Sequence, residues 1–206
     1  MSTTPGGQQE LAPLAISCTH SDCGSGLHCF RKTRQMAPDQ VGRCRSCGTE
    51  LVDWQRVYQR NPRDAAFTFQ ALKSEWIRHQ FWHMPIDEVA DLHARRKGRV
   101  KLREAAENRL RRSIGTKDPV WDGRQTPKQG NILYYAQHAL ACCCRTCIAY
   151  WHDIPQSAEL TQEQIDYFVE LVMLFVDERM PELTEEGEKI PPRRRSQNRA
   201  KLALKR

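Results

Sequence analysis

Cysteine and histidine are the chemically distinctive residues of this chain, and their spacing is that of metal ligands. Nine cysteines fall into two clusters: Cys18, Cys23, Cys29, Cys44 and Cys47, then Cys142, Cys143, Cys144 and Cys147. Four residues separate Cys18 from Cys23, two separate Cys44 from Cys47, and twenty lie between the pairs. Each pair ends in Cys-Gly (Cys23-Gly24 and Cys47-Gly48), and glycine tolerates the positive φ that a tight metal knuckle often needs. Four thiolates suit a tetrahedral zinc ion with no open position, which makes a structural site rather than a catalytic one. The spacing therefore predicts a zinc ribbon on Cys18, Cys23, Cys44 and Cys47. Ligand sets with His20, His28 or Cys29 in place of one cysteine compete with it, as does a set of unrelated thiols. The paired knuckles fit one ion more directly than an iron–sulfur cluster. A segment of roughly 40 residues buries too little surface to fold alone, so metal binding would supply its folding free energy.

The second cluster is less regular. It reads Gln137-His138, then Cys142-Cys143-Cys144-Arg145-Thr146-Cys147, then Trp151-His152. Cys144 and Cys147 have knuckle spacing. On a continuous helix Cys143 and Cys147 would share a face and His138 would point elsewhere, so a site using both histidines requires the helix to end near the cysteines. A second zinc on a tetrahedral set drawn from His138, Cys143, Cys144, Cys147 and His152 is the expectation. Cys142 reads as a packing residue, because cysteine is often a small buried apolar group. The competing reading is a buried cysteine-rich helix with a satisfied core histidine.

The run from Asp122-Gly123-Arg124-Gln125-Thr126-Pro127 through Ala136-Gln137-His138, Cys143-Cys144-Arg145, Cys147, Trp151-His152 and Ile154-Pro155 resembles an uncharacterised bacterial family. That family is known only as a domain of unknown function, with the pattern D-G-x-Q-T-P, A-Q-H, C-C-R-x-C, W-H-x-I-P. The resemblance covers about residues 118–180, leaving the ribbon and the basic helices outside. It implies that His138, Cys143, Cys144, Arg145, Cys147, Trp151 and His152 are signature positions. Leu140 and Cys142 stand where the family usually has a small residue or threonine, which makes Cys142 peripheral.

Charge is the other signal. The 206 residues carry 32 Lys plus Arg against 25 Asp plus Glu, a net +7. Ten basic residues lie between Asp91 and Asp118 with four carboxylates to offset them (Asp91, Glu104, Glu107 and Asp118), and seven more follow from Arg193. Such a field binds polyanions by neutralising phosphates and releasing counterions. Arg95, Arg96, Lys97, Arg99, Arg111 and Arg112 are the expected phosphate contacts, with Trp54, Tyr58, Trp76, Phe81 and Trp82 nearby. No base-reading pattern is present, so nucleic-acid binding with little sequence preference is predicted. The alternative is a metal-dependent hydrolase or nuclease on the second cluster, with Asp118, Asp122 and Glu163 as further carboxylates. No H-E-x-x-H, deaminase or nucleophile-elbow motif supports it. A second alternative is a zinc-stiffened adaptor that docks a protein partner, which an exposed Trp82 or Trp121 would favour.

The elements that must position these groups follow from the pattern. The expected class is α+β, mainly α: residues 1–16 disordered, 17–56 the zinc ribbon, 57–115 a basic helical region, 116–185 a Cys/His helical domain and 186–206 a basic tail. Strands are predicted at 27–30 and 50–54. Helices are predicted from Asp64 to about Phe81, from Asp87 to Lys97 with Gly98 as cap, from Arg99 to Ile114, over Asn131–Cys142, and after the capping box Thr161–Gln164, where Ile165, Phe168, Val172 and Phe175 share a face. No apolar run reaches the roughly 18 residues of a membrane span. The first residues have neither a basic start nor an apolar run of the secretory kind, so a reducing, cytoplasmic setting is expected, in which clustered cysteines mean metal more often than disulfide.

Overall fold

A computed structural model describes residues 17–33, 35–116 and 126–191. The predicted disorder of 1–16, residues 192–206 of the basic tail, and Lys117, Asp118, Trp121 and Asp122 lie outside these residues. The described chain is mainly helical: α1 (Trp54–Tyr58), α2 (Ala65–Leu72), α3 (Trp76–His83), α4 (Glu88–Leu110), α5 (Ile132–Ala139), α6 (Arg145–Trp151) and α7 (Gln162–Arg179). None of these helices is long and apolar enough to cross a membrane.

α7 is the centre of the core. The capping box is present: Thr161 Oγ1 accepts from Gln164 N, and Gln164 Oε1 accepts from Thr161 N. The face formed by Ile165, Phe168, Val172 and Phe175 is buried, and Tyr167, Val169, Leu171 and Val176 are buried beside it. A helix apolar over so much of its surface must be enclosed, and α2, α4 and α5 pack around α7 while α3 packs on α5.

The helix expected over 64–81 is two. Its break at Lys73–Glu75 is fixed from far away, because the His28 backbone pairs there: His28 N donates to Ser74 O and Trp76 N donates to His28 O, both at 2.8 Å. Long-range pairing overrides a periodicity that would otherwise continue. The strands predicted at 27–30 and 50–54 do not form. Segment 17–53 holds two isolated bridges, Asp22 with Leu27 and His28 with Glu75, and two single 3-10 turns, and Trp54 begins α1 after Asp53 caps it. Loops this short, with only Cys29, Phe30, Cys44 and Val52 as buried apolar residues, give no ladder to extend.

The break predicted at Gly98 is real, although α4 runs on either side of it. Gly98 has φ 67° and ψ 174°, a region that is essentially glycine's alone. The backbone freed by this kink is taken up by the segment after α7: Arg99 N donates to Thr184 O and Glu188 N to Arg95 O. A Cβ on residue 98 would lie 2.4 Å from the Glu186 carbonyl carbon and 2.6 Å from Glu185 O. Gly98→Ala is therefore expected to destabilise the protein by at least about 1–3 kcal/mol from the backbone conformation alone, measured as a lowered urea midpoint.

Candidate metal centres

The first centre lies on the turns of segment 17–53. Ligand atoms of Cys23, His28, Cys44 and Cys47 all lie within 4.8 Å of one another. Cys23 Sγ is 3.7 Å from Cys44 Sγ, and Cys47 Sγ is 3.4 Å from His28 Nδ1. A tetrahedral ion with Zn–S bonds of about 2.3 Å holds its sulfurs about 3.8 Å apart, so this is ligand spacing without a ligand-imposed distortion. His28 enters because its backbone is pinned to Ser74 and Trp76. Of the four predicted cysteines, three are brought together. Cys18 stands outside the group. His20 packs edge-on against Trp76 instead, and Cys29 is buried with its thiol directed at Cys18 O.

The electrostatics suit a cation. The Thr49 hydroxyl and backbone N–H hold the Cys47 thiol down at about 6. Burial pushes the Cys44 thiol up, but N–H groups of Cys29, Cys47 and Ser46 outweigh it and leave the thiol more acidic than usual. Burial also disfavours a charged His28, and the neighbouring Cys44 and Cys47 outweigh that too. Cys23 goes the other way, up to about 11 through burial and the thiols beside it; a cation is what would allow all these groups to be deprotonated together.

The second centre lies where α5 stops and α6 starts. α5 ends at Ala139, Ala141 turns with φ 54°, and Cys144 precedes the first residue of α6. The helix thus ends beside the cysteines. Cys143, Cys144 and Cys147 have their sulfurs within 4.8 Å of one another, with Cys143 Sγ 3.6 Å from Cys147 Sγ. They line a cavity of about 130 Å³ together with His138, Arg78 and Cys18. None of the nine cysteines is in a disulfide.

Sequence reasoning missed the charge at the base of this cavity. Arg78 and Glu75 are buried on one turn of chain, with Arg78 Nε donating to Glu75 Oε2 at 2.9 Å. Arg78 also donates to His138 O at 2.6 Å, to Tyr150 Oη at 2.5 Å and to Cys147 Sγ at 3.3 Å. Glu75 accepts from Trp151 Nε1, Tyr150 Oη and Phe30 N. Hydrogen bonds from Cys143 and Cys144, and behind them the Arg78 guanidinium, hold the Cys147 thiol well below its ordinary range. Nothing in the periodicity marks these two residues, because a charge at a helical position normally reads as solvent-facing.

The remaining predicted ligands fall elsewhere. His138 lines the cavity but is clamped: its ring stacks on Phe81 at 4.2 Å and 10°, and Nε2 is 2.8 Å from Thr126 O. Since a carbonyl only accepts, Nε2 carries the proton; burial keeps the ring neutral, down to about 4. His152 is a satisfied core histidine, with Nε2 3.0 Å from Leu140 O and Nδ1 3.3 Å from Tyr167 Oη, so it has no nitrogen to give a metal. Cys142 is fully buried and unconnected to either group, a packing residue. Arg145 donates from its guanidinium to the carbonyls of Ile114, Pro155, Gln156 and Ala158, tying the loop after α6 to the turn Arg111–Gly115 that follows α4.

His152 makes a pH prediction. Burial pushes it down to about 3 from an ordinary 6.5. The stability it contributes is complete above about pH 6.5 and is lost as pH falls towards 3, because the unfolded chain takes the proton first. At about 1.4 kcal/mol per pH unit of that interval, the loss amounts to several kcal/mol. The stability difference between the parent and His152→Gln, from urea titrations, is expected to shrink from pH 7 to pH 4.

The basic helix is more neutralised than its sequence suggests. Arg95 pairs with Asp91 and Glu188, Arg99 with Asp177 and Glu185, Arg103 with Glu170, and Arg111 with Glu107. Arg96 donates to Pro191 O. The side chains of Lys97 and Arg112 make no ion pair or hydrogen bond with the described residues. The aromatic residues pack mostly inward: Phe81 and Trp82 are buried, Trp54 packs on Trp151 and Tyr58, and half-buried Trp76 packs on His20. Burial of Trp82 also removes it as an adaptor's docking residue.

The profile of the family described as Domain of unknown function (DUF4186) matches residues 66–177. The chain belongs to this family. The match starts well before the expected residue 118, so the basic helices and the Glu75–Arg78 pair lie inside the domain, while the first metal group lies before it. No solved structure matches the chain.

Proposed function

We propose that this DUF4186 protein is a zinc-binding protein whose two ions are structural, and which contacts nucleic acid through its uncompensated positive charge with little sequence preference. The observation that carries the zinc reading is the presence of two separate sets of candidate donors, three thiols with an imidazole and three thiols, each within 4.8 Å. Thiolate-rich donor sets select zinc among the common divalent ions, and a closed tetrahedral set suits a structural role. Elemental analysis of the purified full chain tests it: two zinc ions per chain are expected, and Cys47→Ser and Cys143→Ser should each remove one.

The nucleic-acid reading rests on the net +7 charge and on Arg96, Lys97 and Arg112, which no carboxylate neutralises among the described residues, rather than on Arg95, Arg99 and Arg111. Fluorescence anisotropy with single-stranded and duplex oligonucleotides is expected to show affinity that falls log-linearly with salt and varies little with sequence; no binding at low salt would contradict it. A second reading, a metal-dependent hydrolase or nuclease, draws on one observation: three thiols facing a cavity leave a fourth coordination position for water.

A further inference from the structure

Cys18 is left over from the first centre, whose four donors are complete without it, and it lines the cavity of the second. The second centre has three thiols where a closed tetrahedral site needs four donors. Two side chains on the cavity wall offer the missing one, Cys18 and His138. His138 is fixed by its stack on Phe81 and its bond to Thr126 O, and none of its nitrogens falls within the 4.8 Å cluster of the three sulfurs. Moving it there would break both contacts. Cys18 also stands outside that cluster, but it is half-buried on a turn in the wall of the same cavity, and its sulfur makes no hydrogen bond among the described residues that would have to be given up. Its backbone carbonyl accepts from Cys29 Sγ at 3.5 Å, which tethers the turn beside the cavity it lines.

We infer that Cys18, Cys143, Cys144 and Cys147 together form a second, all-thiolate zinc site that closes when Cys18 swings in, so that the ion fastens the segment before the first centre to the α5–α6 junction. This rests on the reading above that the second group holds an ion. Binding exchanges the protons of whichever thiols are not ionised for one divalent ion, released to solvent. Four thiolates on one dication carry two excess negative charges, and Arg78, Arg31 and Lys128, all on the cavity wall, supply positive charge to balance them. The N-terminal turns are then pinned at two places five residues apart, Cys18 to the helical body and Cys23 to the first ion. This closed site has no coordination position for a water.

The test is cobalt substitution of the full-length protein and its variants, read as ion stoichiometry and as thiolate-to-cobalt charge-transfer absorbance, which grows with the number of bound thiolates. Three thiolates in the first centre and four in the second make seven in the parent. Cys18→Ser should lose the second ion, or hold it with an affinity reduced by more than the roughly 10–100-fold that loss of a mere outer-shell partner costs, with the absorbance falling accordingly. Cys18→His should restore the second ion with a shifted spectrum, and His138→Gln should leave stoichiometry and spectrum unchanged. Two ions and an unaltered spectrum in Cys18→Ser would overturn the inference while leaving the second centre standing, as would loss of the ion in His138→Gln. A parent that binds a single ion, unaffected by Cys147→Ser, would overturn the second centre itself.

Discussion

Replacing Cys44 with serine is expected to remove one metal ion and the ordered structure of residues 17–53, while leaving α7 helical. Cys44 is the most deeply buried thiol of the first group, 3.7 Å from Cys23. The segment it serves has no sheet among the described residues and four buried apolar side chains. At about 1.5–3 kcal/mol for each large apolar side chain fully buried, that burial cannot offset the entropy of ordering some 35 residues at about 1–2 kcal/mol each. A structural zinc contributes on the order of 10 kcal/mol or more to folding of such a segment. Elemental analysis should show one ion fewer, and amide hydrogen exchange should show loss of protection in 17–53 with α7 still protected. Full protection in the variant would mean that packing alone orders the segment.

Arg78→Ala should produce the largest loss of stability outside the metal ligands. It leaves Glu75 fully buried without its guanidinium partner and unties the His138 carbonyl, Tyr150 and Cys147 at once. Breaking a buried pair from one side costs about 3–5 kcal/mol, because the remaining charge is uncompensated. Replacing both partners with apolar or neutral groups of similar size, as in Glu75→Gln with Arg78→Met, should cost less than the single change. Urea denaturation of the parent and the two variants gives the comparison. The Cys147 thiol should also become less acidic without the guanidinium, visible as slower alkylation near neutral pH of the metal-free protein. A loss below about 1 kcal/mol in Arg78→Ala would mean that the cavity is wetter and its charges better solvated than their burial implies.

Local signals were legible in the chain wherever they involve neighbours in sequence. The Thr161–Gln164 box, the apolar face of the last helix and the break at Gly98 all depend on residues within a turn or two of each other, and all are present. The grouping of Cys143, Cys144 and Cys147 was legible for the same reason. What could not be read is set by distant pairing. His28 is held beside the thiols because its backbone docks on Ser74 and Trp76, while Cys18, which the spacing pairs with Cys23, stands outside the group. The arginines of α4 look unbalanced within their own stretch, yet Glu170 and Asp177 of α7 and Glu185 and Glu188 beyond it supply the acids. Glu75 and Arg78 are hidden because a buried ion pair has no periodic signature. His152 looked like a ligand by type and spacing, and Leu140 and Tyr167 instead satisfy both its nitrogens.

All of this depends on bound ions completing a fold that its apolar core only partly specifies. Exhaustive chelation of the intact protein, followed by hydrogen exchange and near-ultraviolet circular dichroism, bears on that most directly. Two zinc ions per chain should be released, with exchange protection collapsing over residues 17–53 and around the α5–α6 junction, the aromatic signal of Trp54 and Trp151 weakening, and re-added zinc restoring both. Protein that contains no metal as purified, and whose spectrum and exchange pattern are the same before and after chelation, would contradict the account.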